Sequence, residues 1–419
     1  MKSLKIPYGP EELTLQVPEA NWGGWLRPPE PPVLDWGAGL QSALAPSSDS
    51  EGLTDFLLGC RSLLIVVNDE TRPTPTGKVL EFLWPQIKDL NFKILVATGV
   101  HRKSSEAGCA LMFSPLWPSL KDKVFFHDSR EERGMIFLGE TRRGTRVLIN
   151  SAVMMADRLL AIGSVEPHYF SGFTGGRKMI VPGLAAYSTI VANHSLAMES
   201  GALPLRLLGN PVHEDLMEAV QYLTVPPIFS LQLVLTPGHE LFGAFAGTLT
   251  RSFLDAVLKA EEVFSVPFRE KADILIAVAR PPLDLDLYQS QKPIEHGKLA
   301  LKKDGILILV MPCRQGAGPR DFQELLRQTG DPEKARLMLY QPYALGFHRT
   351  LRNVRFLQEG GEIWGVTYLD PGFLSQTFIR PKPGLQEALD QAIVRKGPRA
   401  KVNILLNASL CVPIQQVFH

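Results

Sequence analysis

Short apolar runs, nearly continuous and rich in Val, Ile and Leu, recur along the chain. A strand with one buried face alternates between apolar and polar residues, whereas a strand covered on both faces is apolar throughout. The runs therefore predict parallel strands buried between helices. The predicted strands are Leu63–Val67, Lys93–Ala97, Arg146–Ile149, Leu159–Ile162, Leu231–Leu235, Ile274–Val278, Ile306–Val310 and Val402–Leu406.

Helix-like stretches separate many of these runs, for example Gly77–Leu90, Arg251–Phe264 and Gly384–Lys396. Alternating strand and helix signals predict an α/β fold. Two segments rich in Pro, Gly or Ser are expected to be irregular. They are an arm or linker over Asn21–Ser50 and a loop over Pro371–Gly384.

The length of 419 residues exceeds one ordinary hydrophobic core and indicates more than one domain. A break in the pattern near Val266–Lys271 sets the expected boundary. We expect an N-terminal α/β domain over residues 1–268 and a C-terminal α/β domain over 269–419. Each would hold a mostly parallel sheet flanked by helices, with the option that the last residues return to the N-terminal domain.

Charge and cysteine content exclude several classes of protein. The 44 basic and 43 acidic residues give a net charge of +1, so neither nucleic acid nor an anionic membrane is an expected partner. The four cysteines form no CxxC pair, which argues against a zinc ribbon, a thioredoxin-type site or a disulfide framework. With no signal-peptide pattern and no long apolar run, a cytoplasmic location is expected.

Polar residues follow three of the predicted strands at their carboxyl ends, where ligands bind in open α/β sheets. Asp69 and Arg72 follow the first strand, His101 follows the second, and His168 follows Leu159–Ile162. An Asp after a strand is often only a helix cap, and a lone His is more often structural. The coincidence of three such ends favours a functional site if the strands are neighbours.

A glycine-rich segment, Tyr169–Gly183, contains Gly175, Gly176 and Lys178. Glycines let a backbone approach a ligand and expose amides to a phosphate. Neither the GxxxxGK[ST] nor the GxGxxG spacing is present, so a tight loop with a surface lysine is an equal alternative. His194 follows as a possible ligand for nickel or zinc. No HxxxH or HExxH pattern accompanies it, and packing is the commoner role of such a histidine.

The C-terminal half holds two weaker polar groups. Gln289 and Lys292 stand three apart near Tyr288, where a lysine at a helix start could meet a substrate carboxylate or simply face solvent. His348 and Arg349 form the other group. The histidines left without a role are His127, His213, His239 and His296.

Taken together, these motifs resemble those of the lactate racemase family. The resemblance runs from Tyr8 to about Asp304 and rests on the order and spacing of several short motifs. They are Asp69–Pro75, Ala97–Arg102, Glu166–His168, Ser171–Lys178, Pro182–Gly183, Asn193–His194 and Tyr288–Lys292.

The resemblance implies a nickel-dependent 2-hydroxyacid racemase or epimerase with its active site in the cleft between the two domains. The family's cofactor is a nickel-pincer nucleotide, pyridinium-3-thioamide-5-thiocarboxylic acid mononucleotide, whose sulfur-containing arms hold Ni. By motif, Lys178 would anchor this cofactor covalently and His194 would bind the nickel. His101 and His168 would transfer protons while a hydride moves reversibly to the cofactor.

The same resemblance assigns the remaining site residues. Arg72 and Lys292 would hold the substrate carboxylate. Asp69, Tyr288 and Gln289 would line or support the site, with the loop around Gly175 and Gly176 against the cofactor. His348 is a candidate substrate residue on other grounds, because it lies in a stretch that departs from the family pattern. The implied partners are a small 2-hydroxyacid and the proteins that build the cofactor, and a homo-oligomer is compatible with the sequence.

Two departures from the family pattern bear on the substrate. Arg177 stands where a small residue is expected, and it would either alter cofactor contacts or face solvent. Ala344–Arg349 stands where a Trp is expected, so malate, an aromatic hydroxyacid or a sugar acid competes with lactate as the substrate. The alternative functions are a nicotinamide-dependent 2-hydroxyacid dehydrogenase, for which no GxGxxG is present, and a non-catalytic carrier of the nickel-pincer cofactor.

Overall fold

The computed structural model describes residues 1–28, 30–47, 51–281 and 283–416. Their contacts divide the chain into two compact units. One, the discontinuous unit, comprises Met1–Pro29 and Phe264–His419, and the other, the central unit, comprises Glu30–Val263.

The strands fall into three groups along the chain. The discontinuous unit begins with β1 (Lys2–Tyr8), β2 (Glu11–Val17) and β3 (Trp22–Leu26). The central unit contains β4 (Leu63–Asn68), β5 (Phe92–Ala97), β6 (Val124–Phe126), β7 (Met135–Glu140), β8 (Arg146–Asn150), β9 (Arg158–Ser164), β10 (Pro167–His168), β11 (Gly172–Phe173), β12 (Ile228–Leu235) and β13 (Leu241–Gly247). The discontinuous unit adds β14 (Ser265–Phe268), β15 (Ala272–Val278), β16 (Leu301–Val310), β17 (Glu362–Val366), β18 (Ile379–Pro381), β19 (Val402–Leu405) and β20 (Val412–Gln415).

The helices follow the same division. Those of the central unit are α1 (Trp36–Leu44), α2 (Leu53–Leu57), α3 (Thr76–Ile87), α4 (Glu106–Met112), α5 (Trp117–Leu120), α6 (Tyr187–Ser195), α7 (Pro211–Gln221) and α8 (Leu249–Phe264). Those of the discontinuous unit are α9 (Lys292–Leu299), α10 (Arg320–Gly330), α11 (Pro332–Met338), α12 (Phe347–Leu351), α13 (Val354–Gln358), α14 (Pro371–Leu374) and α15 (Leu385–Lys396). None of these helices is both long enough and apolar enough for a membrane crossing, within the part of the chain that is described.

The central unit is built on a six-stranded sheet of order β13-β12-β9-β4-β5-β6. All neighbouring strands run parallel except β13, which is antiparallel to β12. The strands β9, β4 and β5 are adjacent, so the polar residues that follow them meet at one edge, as the sequence predicts. Leu63–Asn68 is buried over its first five positions, which is why its sequence shows no alternation.

The discontinuous unit holds a fully parallel sheet of order β18-β17-β16-β15-β19-β3. Both faces are covered. Ile276 and its same-face neighbours on β15 join a core with the β1–β2 hairpin and α15. Leu275 and Ala277 point to the opposite face, into a core that includes residues of α9 and α10. Burial on both sides produces the continuous apolar run that identified this strand.

Three predictions of local structure were wrong. Arg146–Ile149 lies in a two-stranded antiparallel hairpin with β7 and not in the parallel sheet. The segment Asn21–Ser50 is not an irregular arm, because it contains β3 and α1; its residues 29 and 48–50 lie outside the described residues. Pro371–Gly384 contains a short helix and a strand and is not a loop throughout.

The predicted domain limits also need correction at both ends of the chain. Residues 1–28 belong with the C-terminal part and not with a domain over 1–268, because β3 pairs with β19, Trp25 opposite Ile404. The last described strand, β20, pairs in parallel with β14 and so belongs to the discontinuous unit. The internal division, between Val263 and Phe264, lies a few residues before the expected boundary.

Candidate active site

An aspartate–histidine pair lies at the carboxyl edge of the central sheet. Asp69, just after β4, is 5% exposed and accepts hydrogen bonds at Oδ1 from the N–H and hydroxyl of Thr71, at 2.9 and 2.5 Å. Its Oδ2 lies 2.7 Å from Nδ1 of His101, which follows β5. Burial by itself raises the pKa of Asp69, but the bond and charge of His101, together with Arg72 and Thr71, lower it to about 2. In the neutral form of His101, the carboxylate therefore holds the hydrogen on Nδ1 and leaves a lone pair on Nε2.

Arg72 is held beside a buried carboxylate at the same edge. One of its guanidinium nitrogens lies 3.9 Å from Oε1 of Glu166, which follows β9. The backbone of Glu166 is fixed by Thr174, since Thr174 Oγ1 accepts from Glu166 N–H at 3.0 Å and Thr174 N–H donates to Glu166 O at 2.8 Å. Glu166 thus orients a cation that remains partly exposed. The family resemblance assigns Arg72 a role in holding the substrate, which stays a prediction, and assigns none to Glu166.

His168 has very different surroundings. It lies on β10, which pairs with β11, and is 7% exposed. Its ring stacks on Tyr169 at 5.1 Å and meets the edge of Phe170 at 4.4 Å between centroids. The N–H of Ser171 points at His168 Nδ1 from 3.4 Å, so the hydrogen of the neutral ring lies on Nε2.

The ring of Phe170 joins three of the predicted site residues. Besides His168, it contacts the ring of His194 at 5.2 Å between centroids and lies 5.7 Å from the ammonium of Lys178. Lys178 Nζ also donates to Ser171 Oγ at 3.0 Å. The predicted anchor, the predicted metal ligand and one predicted base therefore gather around one phenyl ring. No pattern in the sequence singles out Phe170, because its importance arises only when β10 and β11 fold back on each other.

Backbone hydrogen bonds link this cluster to the His101 side of the edge. The N–H of Gly183 donates to Lys178 O, and the N–H of Gly99 donates to Gly183 O, each at 3.0 Å. Gly99 lies two residues before His101 in the loop after β5. The central unit therefore brings together Asp69, Arg72, His101, His168, Lys178 and His194.

The two glycines of the loop have a structural explanation that requires no ligand. Gly175 and Gly176 have φ of +73° and +49°. A Cβ at Gly176 would come within 2.5 Å of Phe253, and one at Gly175 within 2.6 Å of Gln232 Oε1. The N–H of Gly176 also donates to Gln232 Oε1 at 2.9 Å. Contact of these glycines with a cofactor stays a prediction, and the Gly176 amide is already satisfied by the protein.

Arg177 does not face solvent, so that alternative for the residue was wrong. It is 1% exposed, and its NH2 group donates to the carbonyls of Ser171 and Phe173 at 2.8 and 3.1 Å. Its guanidinium lies 4.1 Å from the ring centroid of Phe253. Burial lowers the pKa of Arg177 to about 9. The side chain thus ties down, from inside the protein, the loop that precedes Lys178.

His194 is oriented by its neighbour on α6, since its Nδ1 lies 3.2 Å from Asn193 Oδ1. No group of three or more His, Cys, Asp or Glu side chains is arranged to hold a metal ion among the residues described. A metal at His194 would therefore need ligands beyond these side chains.

The other predicted substrate residues belong to the discontinuous unit. Lys292 begins α9 and is 8% exposed, and the preceding turn contains Gln289, whose N–H donates to Asp286 Oδ1 at 2.7 Å. Arg349 lies 3.8 Å from the ring centroid of Tyr288 and donates to its hydroxyl at 2.7 Å. The 2% exposed His348 is turned differently, with Nδ1 2.6 Å from the hydroxyl of Tyr343.

Comparison with known proteins identifies the class. The model of the lactate racemase N-terminal domain matches residues 8–203, and that of the lactate racemase C-terminal domain matches residues 268–412. The lactate racemase of Thermoanaerobacterium thermosaccharolyticum is 30% identical over 97% of both chains. That of Lactiplantibacillus plantarum is 27% identical over 97% of this chain and 98% of its own.

Solved structures agree. The lactate racemase apoprotein from T. thermosaccharolyticum superposes with a TM-score of 0.89 at 28% identity, covering 99% of this chain and 100% of that one. A protein from Thermotoga maritima, 15% identical, shares the fold with a TM-score of 0.65 over 87% of this chain and 96% of its own. The protein is an isomerase, a racemase that acts on hydroxy acids. It belongs to the lactate racemase family, which confirms the resemblance drawn from its motifs.

Proposed function

We propose that the protein inverts C2 of a 2-hydroxyacid by reversible hydride transfer to a nickel-pincer nucleotide. In this proposal Lys178 anchors the cofactor, His194 binds its nickel, and His101 and His168 transfer protons. The observation that carries the proposal is the clustering of His168, Lys178 and His194 around Phe170.

The residues present fit such a cofactor. A partly buried amine and an imidazole lie against the same ring, and the imidazole is a suitable nickel ligand. Since the described His, Cys, Asp and Glu side chains form no complete metal site, a bound group that brings its own sulfur ligands would complete the coordination. When bound, the cofactor supplies an acceptor for the hydride of C2, which avoids building negative charge beside the substrate carboxylate.

The protein's own part is to hold and move the hydroxyl proton. His101 has its Nδ1 hydrogen on Asp69, so its Nε2 accepts the proton of the substrate hydroxyl as hydride leaves. His168, protonated at the start of this direction, gives a proton to the oxygen of the flat keto acid from the opposite side when hydride returns, which leaves His168 neutral and His101 protonated. Reaction in the other direction exchanges the two roles, as a racemase requires.

Arg72 is proposed to hold the substrate carboxylate with Lys292, through charge-assisted hydrogen bonds. Tyr288 and Gln289 would line this site. Arg349 donates a hydrogen bond to Tyr288, so we propose that Arg349 and the neighbouring His348 select the substituent on C2. They would favour a substrate larger or more polar than lactate.

The first experiment makes the protein together with the proteins that build the cofactor. We expect a mass increase on the peptide that contains Lys178 and nickel close to one equivalent per chain. Circular dichroism then follows single enantiomers of lactate, malate, aromatic hydroxyacids and sugar acids. Loaded protein that changes none of them would contradict the proposal.

A second experiment separates catalysis from a carrier role. Replacing His101 or His168 singly by Asn should lower racemisation by about 10²–10⁴-fold, the usual contribution of general acid–base catalysis, with nickel retained. His239→Asn is the matched control, because His239 is exposed in the turn after β12 and its φ of +64° is one that Asn tolerates. Full activity in both site variants would mean that neither histidine transfers the proton, whereas nickel retained without any racemisation by the unaltered protein would favour the carrier.

A further inference from the structure

Beside His194 lies a chain of buried polar groups that the proposed function does not use. Asn193 is 0% exposed, and its Nδ2 lies 2.8 Å from Oδ2 of Asp215, which is 1% exposed on α7. Its Oδ1 lies 3.2 Å from Nδ1 of His194. The order is therefore carboxylate, amide, imidazole.

The orientation of the Asn193 amide is fixed by its neighbours. Asp215 accepts from the hydroxyls of Thr141 at 2.5 Å and Thr145 at 2.8 Å, so its oxygens act as acceptors. The second acceptor near Asn193 Nδ2 is Val212 O, at 3.3 Å. An amide nitrogen donates and an amide oxygen accepts, so both contacts require the NH₂ group on the α7 side. The oxygen is thereby turned to His194.

This orientation fixes the hydrogen of the imidazole. An amide oxygen facing Nδ1 selects the tautomer that carries its hydrogen on Nδ1 and a lone pair on Nε2, the atom able to bind a metal. We propose that Asp215 and Asn193 are positioning residues that hold His194 in its metal-binding tautomer before nickel arrives. The metal half of this inference rests on the proposed function, whereas the tautomer half does not.

A purely structural role is the competing explanation. Thr141 and Thr145 stand at the turn between β7 and β8, so Asp215 also joins that hairpin to α7. Joining a hairpin needs the acceptors of Asp215 but does not need Asn193 to face His194. The two roles therefore separate when the direction of the Asn193 amide is reversed.

The first test reads the tautomer in the cofactor-free full-length chain. Long-range ¹H–¹⁵N NMR of ¹⁵N-histidine-labelled protein, at a pH where the ring is neutral, should show hydrogen on Nδ1 of His194. In Asp215→Asn the new amide can donate to Asn193, whose amide then turns and presents its NH₂ to His194. The signal should shift to the Nε2–H form. Hydrogen on Nε2 in the unaltered protein would overturn the inference whatever the fate of the proposed function.

The second test measures nickel retained by the cofactor-loaded protein against a chelator. Partners that orient a metal-binding histidine usually contribute about 10–100-fold in metal affinity. We therefore expect the nickel affinity of Asp215→Asn to fall by that factor. The double variant Asp215→Asn/Asn193→Asp reverses both groups and again places an acceptor oxygen at His194 Nδ1. It should recover nickel retention in part, because the carboxylate at position 193 no longer donates to Val212 O.

Thr141→Val is the matched control. It removes one donor to Asp215 Oδ1 and should lower the unfolding temperature, yet leave the tautomer and the nickel unchanged. Equal nickel retention in Asp215→Asn and the unaltered protein would overturn the inference while leaving the proposed function intact. If the unaltered protein takes up no nickel at all, the proposed function fails, and the tautomer measurement still decides the positioning role.

Discussion

The surroundings of His101 and His168 differ although both histidines follow strands of one sheet. His101, with 30% of its side chain exposed, faces the buried carboxylate of Asp69 at 2.7 Å. His168 is buried among aromatic rings and receives a backbone N–H at Nδ1. One sheet edge therefore holds one imidazole in a charged, partly exposed setting and another in a buried, aromatic one.

Replacing Asp69 should have the largest effect on this difference. In Asp69→Asn the amide can present its NH₂ group to His101 Nδ1, which favours the tautomer without a lone pair on Nε2. We expect racemisation to fall by about 10²–10⁴-fold from either enantiomer, at unchanged nickel content. The control is Thr71→Val, which removes a donor to Asp69 but keeps its charge. A loss for Asp69→Asn no greater than that of the control would show that the carboxylate does not direct His101.

On the side of the edge that holds His168, the buried cation of Arg177 supports the loop that follows this histidine. In Arg177→Met the buried carbonyls of Ser171 and Phe173 lose the guanidinium as a donor, although the N–H of Phe173 still donates to Ser171 O at 3.0 Å. A lost hydrogen bond to a charged group costs about 1.5–3 kcal/mol. We expect the free energy of unfolding of the central unit to fall by about 2–5 kcal/mol, measured with urea. Arg177→Lys keeps a charge with fewer directed donors, so its free energy of unfolding should lie between those of Arg177→Met and the unaltered protein. Unchanged stability in Arg177→Met would show that the loop is held by its glycines and rings alone.

Acid should destabilise the folded protein at the His101 side of the edge, where Asp69 becomes protonated. The pKa of Asp69 is lowered to about 2 in the folded protein, below its ordinary 3.8, so its contribution to stability is complete above about pH 4 and is lost as pH falls towards 2. The shift corresponds to about 2 kcal/mol. Urea unfolding at pH 6 and at pH 2.5 should therefore show a larger loss for the unaltered protein than for Asp69→Asn. Equal losses would mean that Asp69 is not stabilised by His101 and Arg72.

Local sequence patterns predicted the features of this edge that depend on local structure. Continuous apolar runs identified β4, β5 and β9, and polar residues directly after them identified Asp69, His101 and His168. The sequence missed contacts between distant segments. Phe170 matters only because β10 and β11 pair, and β3 exists only because its residues 22–26 meet a strand near the other end of the chain.

Arg177 shows why the direction of a side chain is hard to predict. A charged residue in a loop usually faces solvent, and only the position of Phe253 and of the carbonyls of the folded loop makes an inward direction favourable.

Removing the hydroxyl of Ser171 should have the smallest effect. This change distinguishes the contact of Ser171 with Lys178 from its contact with His168. Ser171 accepts from Lys178 Nζ through its side chain and donates to His168 through its backbone. Ser171→Ala removes only the first of these bonds, worth about 0.5–1.5 kcal/mol. We expect at most about a tenfold slower gain of mass on the Lys178 peptide during cofactor loading, with Ser188→Ala on the exposed side of α6 as control. A loss of racemisation as large as that of Asp69→Asn would mean that the Ser171 hydroxyl also directs His168, and the backbone N–H would then not be what sets its tautomer.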